Sequence, residues 1–416
     1  MRLLVLTSVY PHRGHPFSGI FNEKSVQVLR TLCDAVEVLA PRPYVPPLVP
    51  FILPRWKAYA EAVPWEIRNG VCVHRPAIPV IPKIGSAFWQ DHSAFMWSRQ
   101  AARQLHRKMK FNCLLSFDLV AAGGLAWRIG RDLGIPAAGW ATGGDVRMAT
   151  SSSSAKVAIR ALQNLDVIFY QSHELLDRAA DLLGVSTADL PCKRHLVLPR
   201  GIQEPPLFPS HAIRERLRGT LGIRSDDILV LSIGRVTREK GIFELCDAIS
   251  LVVRQDPRIH CVHVGSLPAF DETAAVENSL AKNAHLQGKM KILPNCEPDK
   301  IWEYLCAADI FAFTSHHEGM PNSLLEAMAM GVPSIAFAIP PVTELEGNGG
   351  GLLTVPPFDV GKFAEQILHL ATNTNERRQI GSKGKARVFD RFLTRRNMTV
   401  ALENLSNVAK GWSCGI

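Results

Sequence analysis

The chain has 416 residues, 47% of them apolar and 20% charged, with a formal net charge of +9. That composition excludes a disordered chain, and the length suits two cores of about 200 residues each, the size at which single cores usually divide. Nine cysteines, an odd number without a Cys-x-x-Cys pair, argue against a disulfide scaffold and a zinc site and for reduced thiols in a cytosol.

The opening MRLLVLTSV reads as a first strand, with neither the length nor the cleavage site of a signal peptide. Short apolar runs at 3–9, 35–39, 71–75, 113–117, 136–140, 166–170 and 195–199 alternate with helical or loop stretches, as parallel strands with crossovers do. The longest apolar run, YVPPLVPFILP at 44–54, is too short and proline-rich to span a membrane. With its flanks it reads as a loop carrying exposed aromatic residues. Residues 88–110 read as a helix with Arg99, Arg103 and Arg107 on one ridge and Phe95, Met96, Trp97, Leu105 and Met109 elsewhere on its circumference. The serine run at 151–154 reads as a loop before a helix. The proline-rich GIQEPPLFPS at 201–210 reads as a linker. A second strand series follows at 228–233, 259–264, 289–293, 309–314, 333–338 and 351–355.

The charge is unevenly spread. Residues 1–110 carry 15 Lys and Arg against 6 Asp and Glu, whereas residues 111–416 carry 32 of each. A basic first quarter points to an anionic partner, a phospholipid leaflet or a lipid-linked phosphate. Contact of residues 88–110 with an anionic membrane stands beside the plainer alternative, a surface helix that packs its apolar face on its own sheet. Nucleic acid is a poorer partner, because no recognised module or aromatic-basic sheet motif accompanies the charge.

Two segments carry chemistry. In ILVLSIGRVTREKG, 228–241, a buried strand runs into a glycine loop bearing Arg235 and Lys240, two cations at the carboxyl end of a strand, where they can clamp a pyrophosphate. In SHHEGMPNSLLEAMAMGVP, 315–333, the polar loop gives way at Pro321 and Asn322 to a helix, placing Glu318 in the loop and Glu326 about one turn inside. Carboxylates accept from sugar hydroxyls, and amides near Asn322, Ser323 and Leu324 at the positive end of the helix dipole can take a diphosphate. Each segment alone is equally well a solvated loop before a helix; their pairing is the informative feature.

Together they resemble glycosyltransferase family four, the retaining nucleotide-sugar transferases of GT-B fold, in which a Gly-Arg-x4-Lys-Gly loop precedes a Glu-x7-Glu loop and helix. Here the first is Gly234, Arg235, Lys240 and Gly241, and the second Glu318 and Glu326. The resemblance extends through LCAADIFAFTS, GVPSIAF and GNGGGLLTVPPFD. In the N-terminal half TSVYPHRGHPFSGIF resembles the first glycine loop, with Gly19 at the phosphate-facing position. WATGGDV resembles an acceptor-side His-Gly-x-Asp loop, and VLPRGIQ an interdomain Pro-Asn-Gly-Val-Asp segment. Only 41–110 falls outside it. Three positions depart from the pattern: Thr142 replaces the loop histidine, while Asp145 keeps the carboxylate; Arg200 and Gln203 replace asparagine and aspartate.

The resemblance implies an α/β protein of GT-B fold, two doubly wound Rossmann-like domains facing a central cleft. Residues 1–205, with a last helix from 395 that crosses back, would bind the acceptor, and residues 206–394 the donor. It implies a retaining, metal-independent hexosyl transfer, with a nucleotide-diphosphate sugar as donor and a glycan or lipid-linked hydroxyl as acceptor. Arg235 and Lys240 would stabilise the leaving diphosphate, Glu318 hold the donor sugar and Glu326 the ribose. Gly19 and Gly234 would admit the phosphates, Gly265 and 295–297 line the base pocket, and Asp145 contact the acceptor. No Asp-x-Asp pair calls for a metal, and no cofactor beyond the donor is implied. A bacterial envelope or exopolysaccharide pathway fits a cytoplasmic enzyme, peripheral at the inner face of the plasma membrane. A nucleotide-sugar epimerase of the same fold and a noncatalytic nucleotide-sugar-binding protein are the alternatives.

Overall fold

In this computed structural model the described residues are all except 54–55, 81–86, 148, 150–151, 208–209, 268–270, 348 and 414–416. Parts of the 41–56 stretch, the serine run, the 201–210 linker and the 347–359 segment therefore lie outside them. The chain divides into two units, Met1–Arg200 with Thr394–Ile416, and Gly201–Leu393.

In the first unit the seven apolar runs become β1 (Arg2–Thr7), β2 (Ala35–Leu39), β5 (Val71–His74), β7 (Cys113–Phe117), β8 (Ala137–Ala141), β9 (Val167–Tyr170) and β10 (His195–Val197), and three short strands outside those runs join them, β3 (Arg42–Pro43), β4 (Trp65–Arg68) and β6 (Ala77–Ile78). Its main sheet has the order β10-β9-β8-β7-β1-β2-β5-β4. Every residue of β7, β8 and β9 is buried, as in parallel strands covered by helices on both faces. The antiparallel edge strand β4 turns back from β5 through Asn69 and Gly70, both at positive φ, and leaves Trp65 and Ile67 exposed. The β3 and β6 strands form a separate pair.

One face of this sheet packs Leu4, Leu6 and Leu114 with Leu125, Ala126 and Ile129 of the helix Ala122–Leu133. The other packs Leu3, Val5 and Leu115 with Val26 and Leu29 of the helix Ile20–Leu32, and with Met398, Ala401 and Leu405 of the last helix, Thr394–Ser413. Each large apolar side chain so buried contributes roughly 1.5–3 kcal/mol. The helix Ser152–Asn164 begins inside the serine run, where a loop was expected; serine is well tolerated at helix starts.

The second unit contains β11 (Ile228–Ile233), β12 (Ile259–Ser266), β13 (Met290–Pro294), β14 (Ile310–Phe313), β15 (Ser334–Phe337) and β16 (Leu353–Val355), all parallel, in the order β13-β12-β11-β14-β15-β16. Helices cover both faces, giving one core around Leu231, Phe311 and Leu325 and another around Val230, Ile249 and Phe363.

Both sheets have a point where the strand order reverses, between β1 and β7 in the first and between β11 and β14 in the second. Loops leaving the carboxyl ends of such neighbouring strands run to opposite sides and leave a crevice, the usual ligand position in open α/β sheets. Among the described residues no helix is long and apolar enough to cross a membrane.

Candidate functional site

In the second unit the crevice between β11 and β14 is a cavity of about 270 Å³, lined among others by Gly234, Lys240, His263, Glu318, Asn322, Ser323 and Glu326. Lys240 ends a single 3-10 turn, Arg238–Lys240, that Gly241 closes in the left-handed conformation before the helix Ile242–Gln255 begins. Thr314, just past β14, ties the two loops together: its hydroxyl donates to the carbonyls of Gly241 at 2.8 Å and Lys240 at 3.2 Å. Lys240 Nζ then meets Glu318 Oε1 at 2.5 Å.

The helix Asn322–Ala329 starts at Pro321 without a side-chain cap. The Asn322 amide donates to the Met320 carbonyl at 2.9 Å and that of Leu325 to Pro321 at 3.0 Å, whereas the Ser323 and Leu324 amides have no protein acceptor among the described residues. Two free donors at a helix start, beside a lysine, form an anion-binding arrangement.

His263 was not singled out in the sequence. It is 2% exposed on β12, and its Nε2 lies 2.9 Å from the Gly234 carbonyl, which makes Nε2 the protonated nitrogen. Burial pulls its pKa down to about 4, so the ring is neutral and Nδ1, without a partner, is an acceptor. Gly265 has φ 133, and a Cβ there would lie 2.2 Å from the Gly234 carbonyl oxygen, so β12 can approach the β11 loop this closely only through glycine. Next to it, Asn295 donates its amide to Ser266 at 2.9 Å. Arg235 is exposed and is not among the residues lining the cavity.

The first unit has a cavity of about 530 Å³ at its own reversal point, lined by Ser8, Asn22, Phe117, Asp118, Thr142 and Asp145 among others. Asp145 lies in the short turn Gly144–Arg147, and its carboxylate accepts from the amides of Leu119, Thr142, Gly143 and Val146 at 2.8–3.1 Å. The carboxylate thus organises the loop and lines the cavity at once. Asp118, also missed in the sequence, stands at the end of β7 with φ 109, a strained conformation for a non-glycine residue. It accepts from Ser8 Oγ at 2.6 Å and from the amides of Ala121 and Ala122 at 2.9 and 2.7 Å. Burial, with help from Asp145, pushes its carboxyl up to about 6 against these bonds. The signal available in the sequence was its position directly after a strand that is apolar at four of its five positions.

Arg200, one of the three departures from the family pattern, is 5% exposed, donates to Asn22 Oδ1 at 2.7 Å and lies 4.9 Å from the Phe117 ring centroid. Burial lowers its pKa to about 10, which Asp145 and Asp118 oppose, so it stays charged and balances their carboxylates. Gly19 caps the helix Ile20–Leu32 with φ 77. Two of the three ridge arginines on the helix Ala87–Met109 are committed to Asp132: Arg99 Nη2 lies 2.5 Å and Arg103 Nε 2.6 Å from its oxygens. No cluster of three or more His, Cys, Asp or Glu among the described residues has the spacing to hold a metal.

Known proteins resemble the chain in sequence and in fold. Residues 213–387 match the family described as glycosyl transferases group 1. The putative teichuronic acid biosynthesis glycosyltransferase TuaC of Bacillus subtilis is 30% identical over 369 residues, covering 88% of each chain. Sucrose-phosphate synthase of Thermosynechococcus elongatus superposes with a TM-score of 0.74 at 19% identity, over 98% of this chain and 100% of its own. HepE of Anabaena, solved in complex with UDP and glucose, gives 0.71 at 16% identity over 98% and 100%. These likenesses identify the fold as GT-B. With the TuaC match spanning both units, the chain belongs to the glycosyl transferases group 1 family.

Proposed function

We propose that the protein is a retaining glycosyltransferase that moves a hexosyl group from a nucleoside diphosphate sugar to a hydroxyl of a growing or lipid-linked glycan in bacterial envelope polysaccharide synthesis. The observation that carries this is the second-unit cavity, lined by Lys240, Ser323, Glu318 and Glu326, at the start of a helix whose Ser323 and Leu324 amides have no protein acceptor among the described residues. A diphosphate needs the lysine and the amides, and a sugar nucleotide's hydroxyls the carboxylates. Similarity to TuaC supports the pathway, and likeness to a protein solved with UDP supports the donor class.

In this reading the Ser323 and Leu324 amides and Lys240 hold the diphosphate, and Arg235 adds a second cation as charge builds on the leaving group. Glu326 accepts from the ribose hydroxyls and Glu318 from the transferred sugar. Asn322 completes the phosphate loop. Gly19, Gly234 and Gly265 let backbone approach the phosphates and base. Asp145, with Asp118 and Ser8, lines the acceptor side. The acceptor attacks the face from which the diphosphate departs and its proton passes to that phosphate, which retains the anomeric configuration. The basic helix Ala87–Met109 holds the first unit against an anionic membrane on the cytoplasmic side.

The test is calorimetric titration with UDP, GDP, ADP and CMP and their common sugars, comparing wild type with Glu326→Ala. One nucleotide should bind saturably, and the substitution should weaken it about tenfold or more, the worth of a hydrogen bond to a charged group. Failure of every nucleotide to bind would overturn the proposal.

A further inference from the structure

Beside the first-unit cavity lies a second one of about 300 Å³, which shares Ser8 and Val9 with it and is lined by Tyr10, His12, His15, Arg42, Tyr59 and Arg75 among others. Its residues come from the carboxyl ends of β1, β2 and β5 and from β3, on the same edge of the sheet as the β1–β7 crevice.

Three donors here are buried without an acceptor: the Tyr10 hydroxyl, Arg42 Nε and Arg75 Nη1. Tyr10 is 4% exposed and Arg75 2% exposed, so each donor depends on a partner inside the pocket. Arg75 is anchored through its other nitrogen, Nη2, to the Pro11 carbonyl at 2.8 Å and to Glu66 Oε1 at 2.7 Å, which leaves Nη1 free to face a ligand. Glu66 is the one carboxylate paired with this guanidinium among the described residues, and Arg42 has no carboxylate partner among them. His12 accepts the Gly14 amide on Nδ1 at 3.2 Å, so its Nε2 carries the proton and is a donor. His15 packs edge-on against Tyr59 with ring centroids 5.1 Å apart, walling the pocket. The buried phenol, displaced upward in pKa by burial, remains a neutral donor.

One N–H on each of two guanidiniums and a phenol O–H, all without acceptors, together with an imidazole N–H, make a site for an oxyanion. We infer that this pocket binds an anionic oxygen group, phosphate or carboxylate, carried by the acceptor next to its reacting hydroxyl. Anion binding stands on this pocket alone; assigning the anion to an acceptor rests on the glycosyl-transfer reading.

The full-length protein is titrated calorimetrically with inorganic phosphate and separately with glucuronate, in wild type, Arg42→Gln, Tyr10→Phe and Lys240→Ala. Arg42→Gln should weaken anion binding at this pocket about tenfold or more and Tyr10→Phe by about three- to tenfold, while Lys240→Ala removes phosphate binding at the donor site in the other unit and leaves the first-unit component. Neither first-unit variant removes a paired group, so both should melt no lower than wild type without the anion. Binding of phosphate but not glucuronate identifies a phosphorylated acceptor, and the reverse an acidic sugar. The inference is overturned if neither anion binds, if Arg42→Gln and Tyr10→Phe bind as wild type does, or if Lys240→Ala abolishes all anion binding. Nucleotide titration of the same variants is a separate readout: its failure overturns the donor assignment and leaves the anion site standing.

Discussion

Lys240 Nζ lies 2.5 Å from Glu318 Oε1, so the loops after β11 and β14 are joined by an ion pair across the reversal point of the second sheet. The pair holds a cation and a carboxylate side by side at the mouth of the crevice. A diphosphate and a sugar would engage these two groups separately, the phosphate taking the ammonium and the hydroxyls the carboxylate.

Lys240→Ala should lower kcat by about 10²–10³, as removal of other groups that stabilise transition-state charge does. Donor affinity should fall less than tenfold, because the diphosphate charge peaks at the transition state. Steady-state kinetics beside calorimetry measure both, and equal losses would contradict the role. The abandoned Glu318, only 13% exposed, should cost about 1–2 kcal/mol of stability, read from thermal melts.

Gly265 and Gly234 separate packing from ligand approach. Gly265→Ala forces a Cβ to within 2.2 Å of the Gly234 carbonyl oxygen at φ 133 and should destabilise by roughly 2–3 kcal/mol. A Cβ at Gly234 meets nothing within 4 Å, so Gly234→Ala should change stability by less than about 1 kcal/mol. Lost nucleotide binding in Gly234→Ala, at unchanged melting temperature, is the outcome expected if backbone and phosphate meet there.

Acid should weaken both units. His263 in the second and His195 in the first are buried, which holds each near a pKa of about 4 against 6.5 in the open chain. The unfolded chain therefore binds more protons between those values, and the stability present above pH 6.5 falls as pH drops toward 4, by up to about 3 kcal/mol per histidine. Asp118, raised to about 6, has the opposite sign: its contribution is lost as pH rises from 3.8 to 6. Urea unfolding at pH 7.5, 6 and 5 should show the net decline. His263→Gln should flatten it, and Asp118→Asn should steepen it.

Arg107 and Lys108 are exposed, whereas Arg99 and Arg103 share Asp132. Charge reversal at Arg107 and Lys108 should reduce cosedimentation with phosphatidylglycerol vesicles several-fold, at about 1 kcal/mol per neutralised residue. Arg99→Gln with Arg103→Gln should act chiefly on stability, by roughly 1–2 kcal/mol, since Asp132 is 9% exposed and would lose both partners. Vesicle binding that depends on neither pair would remove the membrane contact from the proposal.

The two strand series were legible because β7, β8 and β14 are buried on both faces and read as predominantly apolar runs. Strand β4 was missed because WEIR lies on an exposed edge and alternates instead; its signal was the following Asn69 and Gly70, which form the hairpin turn. The start of the helix at Asn322 was legible for a related reason, since a proline at the end of a polar loop leaves the chain little choice beyond it.

Local sequence thus specified which residue types occur at each strand end, because loop chemistry and apolar periodicity are properties of neighbours along the chain. It could not specify which strand ends meet. The pairing of Lys240 with Glu318, of Ser8 with Asp118, and the commitment of Arg99 and Arg103 to Asp132 join residues 78, 110, 33 and 29 positions apart. Those distances close only after the sheet order is set. Burial on that scale also moved the pKa values of His263 and Asp118 and left Tyr10 and Arg75 with unpaired donors, effects that arise from the loss of water around a group and not from its identity.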